Sequence, residues 1–259
     1  MATDPDPWLR ALRASHDRLV TIMDTLDADD LTRQSYASEW SIAQVLSHLG
    51  SGAEIFELNL TAGLAGSDPP AREKFQAIWD VWNARPPQEQ ASVSLAANEE
   101  VISRIEGLSA EKRDAFKAQM FGMTLDLAGM LRMRLSEHAV HTWDVAVAVD
   151  PAARVSSDAV ALLIDGLPQM MAWMGKKAAD PAVIAVTTTD PPRTFTLDTG
   201  GVALTPGAGD GDAAGSLDLT AEALLRLVYG RIGDSGESTG EVHASNVSVD
   251  GLKAVFPGF

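Results

Sequence analysis

The stretch RLSEHAVHTWD, residues 134–144, holds a glutamate, two histidines, an arginine and an aspartate. Carboxylates and imidazoles bind divalent cations and move protons, so the first question is which of them share a face. On a helix each residue advances about 100°, which puts His141 about 40° and Asp144 about −20° from Glu137, whereas His138 falls near 100° and drops out. A glutamate and a histidine four apart can reach one cation, and the same pair can equally be a solvated helix pair or a bundle hydrogen bond. A third ligand must come from another helix. His48 is the candidate, because Ser41, Gly52 and Asn59 on the adjacent strip leave room and polarity around its ring. The alternative for His48 is an imidazole satisfied by a hydrogen bond inside a bundle.

Two imidazoles and one carboxylate suit Zn²⁺ with a fourth position open, the arrangement of catalytic zinc. Fe²⁺, Ni²⁺ and Mn²⁺ accept the same donors. Asp144, beside the ligand strip, could take the other ring N–H of a ligand histidine and fix its tautomer, or be an aspartate near a helix end. His16 and His243 lack such company and read as incidental.

These side chains need a rigid frame. Residues 7–27 place Leu9, Leu12, Leu19, Ile22, Met23 and Leu26 at helical spacing. A second helix is predicted from Ser41 to Leu64, stopped by GSDPP. A short piece over Phe75–Trp82 precedes the Pro86-Pro87 break, residues 88–106 resume the pattern, and Ser109 caps another short turn. From Thr124 to Val149 the pattern predicts one long helix, finished by Asp150-Pro151. Four principal helices predict an antiparallel bundle over residues 1–152.

Residues 153–259 have a different character. VSSDAVALLIDGLPQMMAWMGKK reads as one helix with a capping serine, AVIAVTTT, RTFTLD and VALTP as strands, and SLDLTAEALLRLVYGR as a strand running into a capped helix. GAGDGDAAG reads as a flexible loop. The expected class is α+β, a helical bundle followed by a small α/β domain.

Hydrophobic residues make up 46% and charged residues 22% of the 259, the composition of a globular chain with a sizeable core. The 36 acidic against 20 basic residues give −16 and a pI near 4.6, so nucleic acid and anionic membranes are not expected as partners. MATDPDPWLR lacks the basic and apolar regions of a secretory signal, and no apolar run approaches the ~20 residues of a membrane span; the expected location is the cytoplasm. Zero cysteines exclude disulfides, thiolate zinc sites and a protein-borne thiol nucleophile, so sulfur chemistry would need a small-molecule thiol.

EWSIAQVLSHL and RLSEHAVHTWD resemble the metal-binding motifs of the mycothiol-dependent maleylpyruvate isomerase family, a branch of the DinB-like metalloenzymes. LDLTAEALLRLVYGR resembles that family's C-terminal segment, which ends in Gly-Arg. The resemblance implies a DinB-like four-helix bundle followed by a small α/β domain distantly similar to sterol-carrier proteins. It implies zinc held by His48, Glu137 and His141, with mycothiol as the thiol that takes the open position, and Arg231 as the arginine important for isomerase activity. As a planar guanidinium Arg231 could bind a substrate carboxylate or a developing enolate; the alternative is a cation at a helix C-terminus. The implied activity is addition of an activated thiolate to an electrophilic small molecule, as a cis–trans isomerase or an S-transferase.

Two other classes stand beside this one. A non-catalytic protein could hold a small apolar ligand and keep a structural or vestigial metal, a reading that methionine clusters such as PQMMAWM permit although such clusters more often fill a core. A zinc anti-sigma regulator would be helical too, but it ordinarily needs thiolate ligands.

Overall fold

Proline, glycine and hydroxyl punctuation sets several helix ends in the first of two compact units, Met1–Val155, of the computed structural model. Residues 3–37, 39–120, 122–207, 213–232 and 242–258 are described. Helix α1 spans Asp6–Met23 and buries Leu9, Leu12 and Leu19 on one face. Helix α2, Ile42–Ala65, opens with a reciprocal cap: the Ser41 hydroxyl accepts from the Gln44 amide (3.3 Å) and the Ser41 amide donates to Gln44 Oε1 (2.8 Å). It stops at Gly66, whose φ of 61° is the left-handed conformation glycine takes cheaply. Helices α3 (Arg72–Asn83), α4 (Pro87–Glu106) and α5 (Ala110–Ala115) follow, α4 starting on a proline and α5 capped by Ser109.

A hairpin then intervenes. Strands β1 (Ala118–Met120) and β2 (Met123–Leu125) pair antiparallel, with Gly122 at φ 75° between them and Gln119 Nε2 donating across to Thr124 Oγ1 at 2.8 Å. Helix α6, Leu127–Val149, starts only after Asp126, whose carboxylate accepts from the Gly129 amide at 2.8 Å. The expectation of a helix from Thr124 is corrected here: Asp126 is its cap, and Thr124 is in a strand. Helices α1, α2, α4 and α6 form the packed frame, α2 against α4 and α6, and α1 against α6. Leu19, Ile42, Val45, Leu46, Leu49 and Val145 fill one cluster between them.

The second unit, Ser156–Phe259, has helices α7 (Ser157–Leu163) and α8 (Leu167–Met174) where one helix was expected. A 3₁₀ turn at Ile164–Gly166 separates them, because Pro168 has no N–H to donate and its ring would clash with the carbonyl of residue 164. Strands β3 (Val183–Thr189), β4 (Arg193–Asp198), β5 (Ala203–Pro206) and β6 (Gly215–Thr220), helix α9 (Ala221–Val228), strand β7 (Val242–Ser245) and helix α10 (Val249–Val255) complete it. The sheet order is β5-β4-β3-β6-β7, with β3 and β6 parallel and the other neighbours antiparallel. Thr220 ends β6 and caps α9 by accepting from the Ala223 amide at 3.1 Å. Of the glycine-rich loop expected over 207–215, residues 208–212 lie outside the described residues. No described helix is long and apolar enough to cross a membrane.

Candidate metal centre

The Ser41 cap places His48 in the second turn of α2, and the Asp126 cap places Glu137 and His141 one turn apart near the middle of α6. Packing of α2 on α6 brings the three together: His48 Nε2 is 3.1 Å and His141 Nε2 is 3.7 Å from Glu137 Oε2. One donor atom from each side chain lies within 4.8 Å of the others. Donors 2.0–2.1 Å from a tetrahedral ion stand about 3.3 Å from one another, so the two measured separations bracket what such an ion would need.

Protonation fits as well. His141 Nδ1 is 2.8 Å from Asp144 Oδ2, and Asp144 is fully buried. With Asp144 Oδ2 facing Nδ1, the ring turns Nε2 toward Glu137. Burial lowers the pKa of His48 even though its hydrogen bond to Glu137 opposes the shift, which keeps the ring neutral near pH 7. Burial pushes the Glu137 carboxyl up, but the His48 hydrogen bond and the neighbouring His141 and Arg134 outweigh it and hold it at about 2. A neutral His48 and an ionised Glu137 are in the forms that bind a divalent cation.

Trp40 covers the pair of imidazoles, a role not read from the sequence. Its ring lies 5.0 Å from that of His48 and 6.0 Å from that of His141, tilted by 37° and 33°. A turn fixes it: the Trp40 amide donates to the Ala37 carbonyl (2.8 Å), and its own carbonyl accepts from the Ser35 hydroxyl (2.7 Å) and from Gln34 Nε2 (2.7 Å).

His138 is excluded from the trio, as helical geometry indicates. It is fully buried and its Nδ1 pairs with Ser15 Oγ at 2.8 Å and Thr142 Oγ1 at 3.3 Å. Burial holds its pKa well below the ordinary value, so it stays neutral in the bundle core. His16 packs edge-on to it with centroids 6.0 Å apart and lies 3.4 Å from Glu99, a structural environment that the sequence reading missed. His243 is exposed on β7.

Arg231 belongs to the second unit, where it is 2% exposed. It follows Gly230, whose φ of 70° turns the chain and whose missing Cβ would stand 2.3 Å from the Gly258 amide nitrogen. Its Nη1 donates to the Tyr229 carbonyl (2.6 Å) and its amide to the Arg226 carbonyl (2.7 Å).

The family model described as the mycothiol maleylpyruvate isomerase N-terminal domain matches residues 12–146, a span that includes all three ligand candidates. The fold is similar to the crystal structure of the mycothiol-dependent maleylpyruvate isomerase and to that of a histidine-to-alanine mutant of that enzyme. Each superposes with a TM-score of 0.70 over 95% of both chains at 12% identity. No curated protein matches significantly.

Proposed function

The chain belongs to the family of the mycothiol maleylpyruvate isomerase N-terminal domain, and from that premise we propose a metal-dependent enzyme that activates mycothiol for addition to an electrophilic small molecule in the cytoplasm. The reaction is a maleylpyruvate-type cis–trans isomerisation or a thiol S-transfer. The observation that carries this reading is the convergence of His48, Glu137 and His141 from two helices.

His48, His141 and Glu137 would hold the ion, and zinc suits two imidazoles and a carboxylate with one position left for a ligand. When bound, such an ion lowers the pKa of a coordinating thiol, which supplies a nucleophile that a chain without cysteine lacks. The residues around it prepare the site. Asp144 faces Nδ1 of His141, so the ring presents Nε2 on the side of Glu137. Glu137 stays ionised at neutral pH. Trp40 shields the two rings and restricts water on their flank. Arg231 is the proposed partner of a substrate carboxylate or developing enolate, through a planar fork that a lysine does not offer. Its chain neighbours Gly230 and Ile232 line a cavity of about 180 Å³ together with Phe256.

The test is metal analysis of protein purified without a chelating tag, repeated on His48→Ala and Glu137→Ala. One equivalent in the wild type and a steep loss in both variants, with helical circular dichroism retained, is the expected result. Unchanged stoichiometry in both removes the site. Turnover of maleylpyruvate with mycothiol, compared with conjugation of a generic electrophile, separates isomerase from transferase; no thiol chemistry from fully loaded protein returns the chain to the binding class.

A further inference from the structure

Arg134 is a buried cation whose direct partners are neutral. It lies one turn before Glu137 on α6 and is 6% exposed, and its Nη2 donates to the Leu49 carbonyl at 2.7 Å and to Asn98 Oδ1. Glu137 acts on it through space. Burial lowers its pKa to about 10, so it remains charged near neutrality. Burying a guanidinium against neutral acceptors is unfavourable unless an anion compensates it, and removing such a charge from water makes any anion that reaches it bind more strongly.

Gly52, one turn beyond His48 on α2, lies against the guanidinium: a Cβ there would stand 2.8 Å from Nη1. Any side chain at this position would press into that amino group. Gly52, His48 and Glu137 are only partly buried, whereas Ser51, Ala53 and His138 beside them are buried. The berth of Nη1 therefore adjoins the partly exposed strip of α2 and α6 that carries two of the three ligand candidates.

We infer that Arg134 is a specificity-determining residue that binds a carboxylate: Leu49 and Asn98 hold Nη2, and Nη1, packed against Gly52 beside the partly exposed strip, takes the carboxylate of a small molecule seated at the trio. The identity of that molecule as a substrate rests on the proposed function; the anion site itself does not. Guanidinium–carboxylate contacts are charge-assisted and directional, so this residue selects for an acid over an ester or amide of the same shape.

The probe is maleate, titrated calorimetrically into metal-free, full-length protein. The wild type is expected to bind saturably, with affinity lowered at least ten-fold in Arg134→Gln and less in Arg134→Lys, which keeps the charge but not the fork. If Arg134→Gln does not fold, Gly52→Ala decides: it retains the guanidinium, crowds Nη1, and is expected to weaken maleate while zinc stoichiometry, measured separately, is unchanged. No binding to the wild type, or equal affinity in the wild type and the folded variants, overturns the inference. Arg134-dependent maleate binding in a chain that takes up no metal would sink the proposed function and leave this site standing; metal and thiol turnover without maleate binding would do the reverse.

Discussion

His141 and Asp144, three residues apart on α6, are joined by a 2.8 Å contact between Nδ1 and Oδ2, and both are almost wholly buried. The aspartate decides which nitrogen of the histidine faces Glu137. Asp144→Asn keeps the volume and removes the carboxylate that faces Nδ1. Metal affinity is expected to fall by about 10–100-fold, as for other partners behind ligand histidines. Competition against a fluorescent chelator measures it, and wild-type affinity in the variant would show that Asp144 does not serve the ligand.

Arg231→Ala should separate binding from catalysis. The metal content is expected to stay at the wild-type level while turnover drops on the order of 10²–10³-fold, the usual loss when a charge-stabilising donor is removed. Thermal melting checks that the second unit remains folded. Full turnover in a folded variant would take Arg231 out of the mechanism.

Gly50 tests the packing of α2. A Cβ there would sit 2.2 Å from Trp82 Cη2 and Cζ3. Trp82 cannot easily yield, because its Nε1 donates to Glu54 at 2.8 Å and the Arg85 guanidinium lies 4.0 Å over its ring. Replacing a helical glycine with alanine gains up to ~1 kcal/mol of helix propensity, while overpacking costs about 1–3 kcal/mol or more. Gly50→Ala should therefore be net destabilising, seen as a lower urea midpoint with an unchanged slope; a raised midpoint would contradict the packing described.

Glu99 gives the acid limb. Arg13 donates to it, with Nη2 3.1 Å from Oε1, and the Ser103 hydroxyl adds a bond of 2.7 Å. The Arg13 hydrogen bond and then Ser103 hold its carboxyl at about 2 against an ordinary 4.5. A carboxyl with a lowered folded pKa contributes stability above 4.5 that is lost as pH falls toward 2. Because the side chain is half exposed, the effect is small. In urea melts of metal-free protein the gap between wild type and Glu99→Gln should narrow across that window; a gap independent of pH would dismiss the pair as a source of acid sensitivity.

The trio was legible because its two α6 members obey a local rule, the four-residue helical repeat, and because small and polar residues surround His48. Helix α2 was legible from Ser41 for the same reason: a cap acts within three residues. The hairpin at 118–125 was not, since strands of three residues carry no readable alternation and their pairing depends on Gly122 turning the chain. Pro168 offered a signal for the break between α7 and α8 that the continuous apolar pattern hid. Strand β7 exists through its pairing with β6, and α10 is too short to show a period. Arg134 owes its place to Leu49 and Asn98 on two other helices, and Trp40, though held by a local turn, meets His141 only through the fold. Helical spacing sets Arg134 one turn before Glu137 but does not show where its guanidinium goes.

His48 and Glu137 lie 89 residues apart in the chain and meet at 3.1 Å. An ion shared between them would act as a rivet across α2 and α6, favouring the native state by about 4 kcal/mol at a free concentration a thousand times its dissociation constant. Starving a cell of that ion would then lower the abundance of the protein as well as its activity, because the unriveted chain opens more often to proteases.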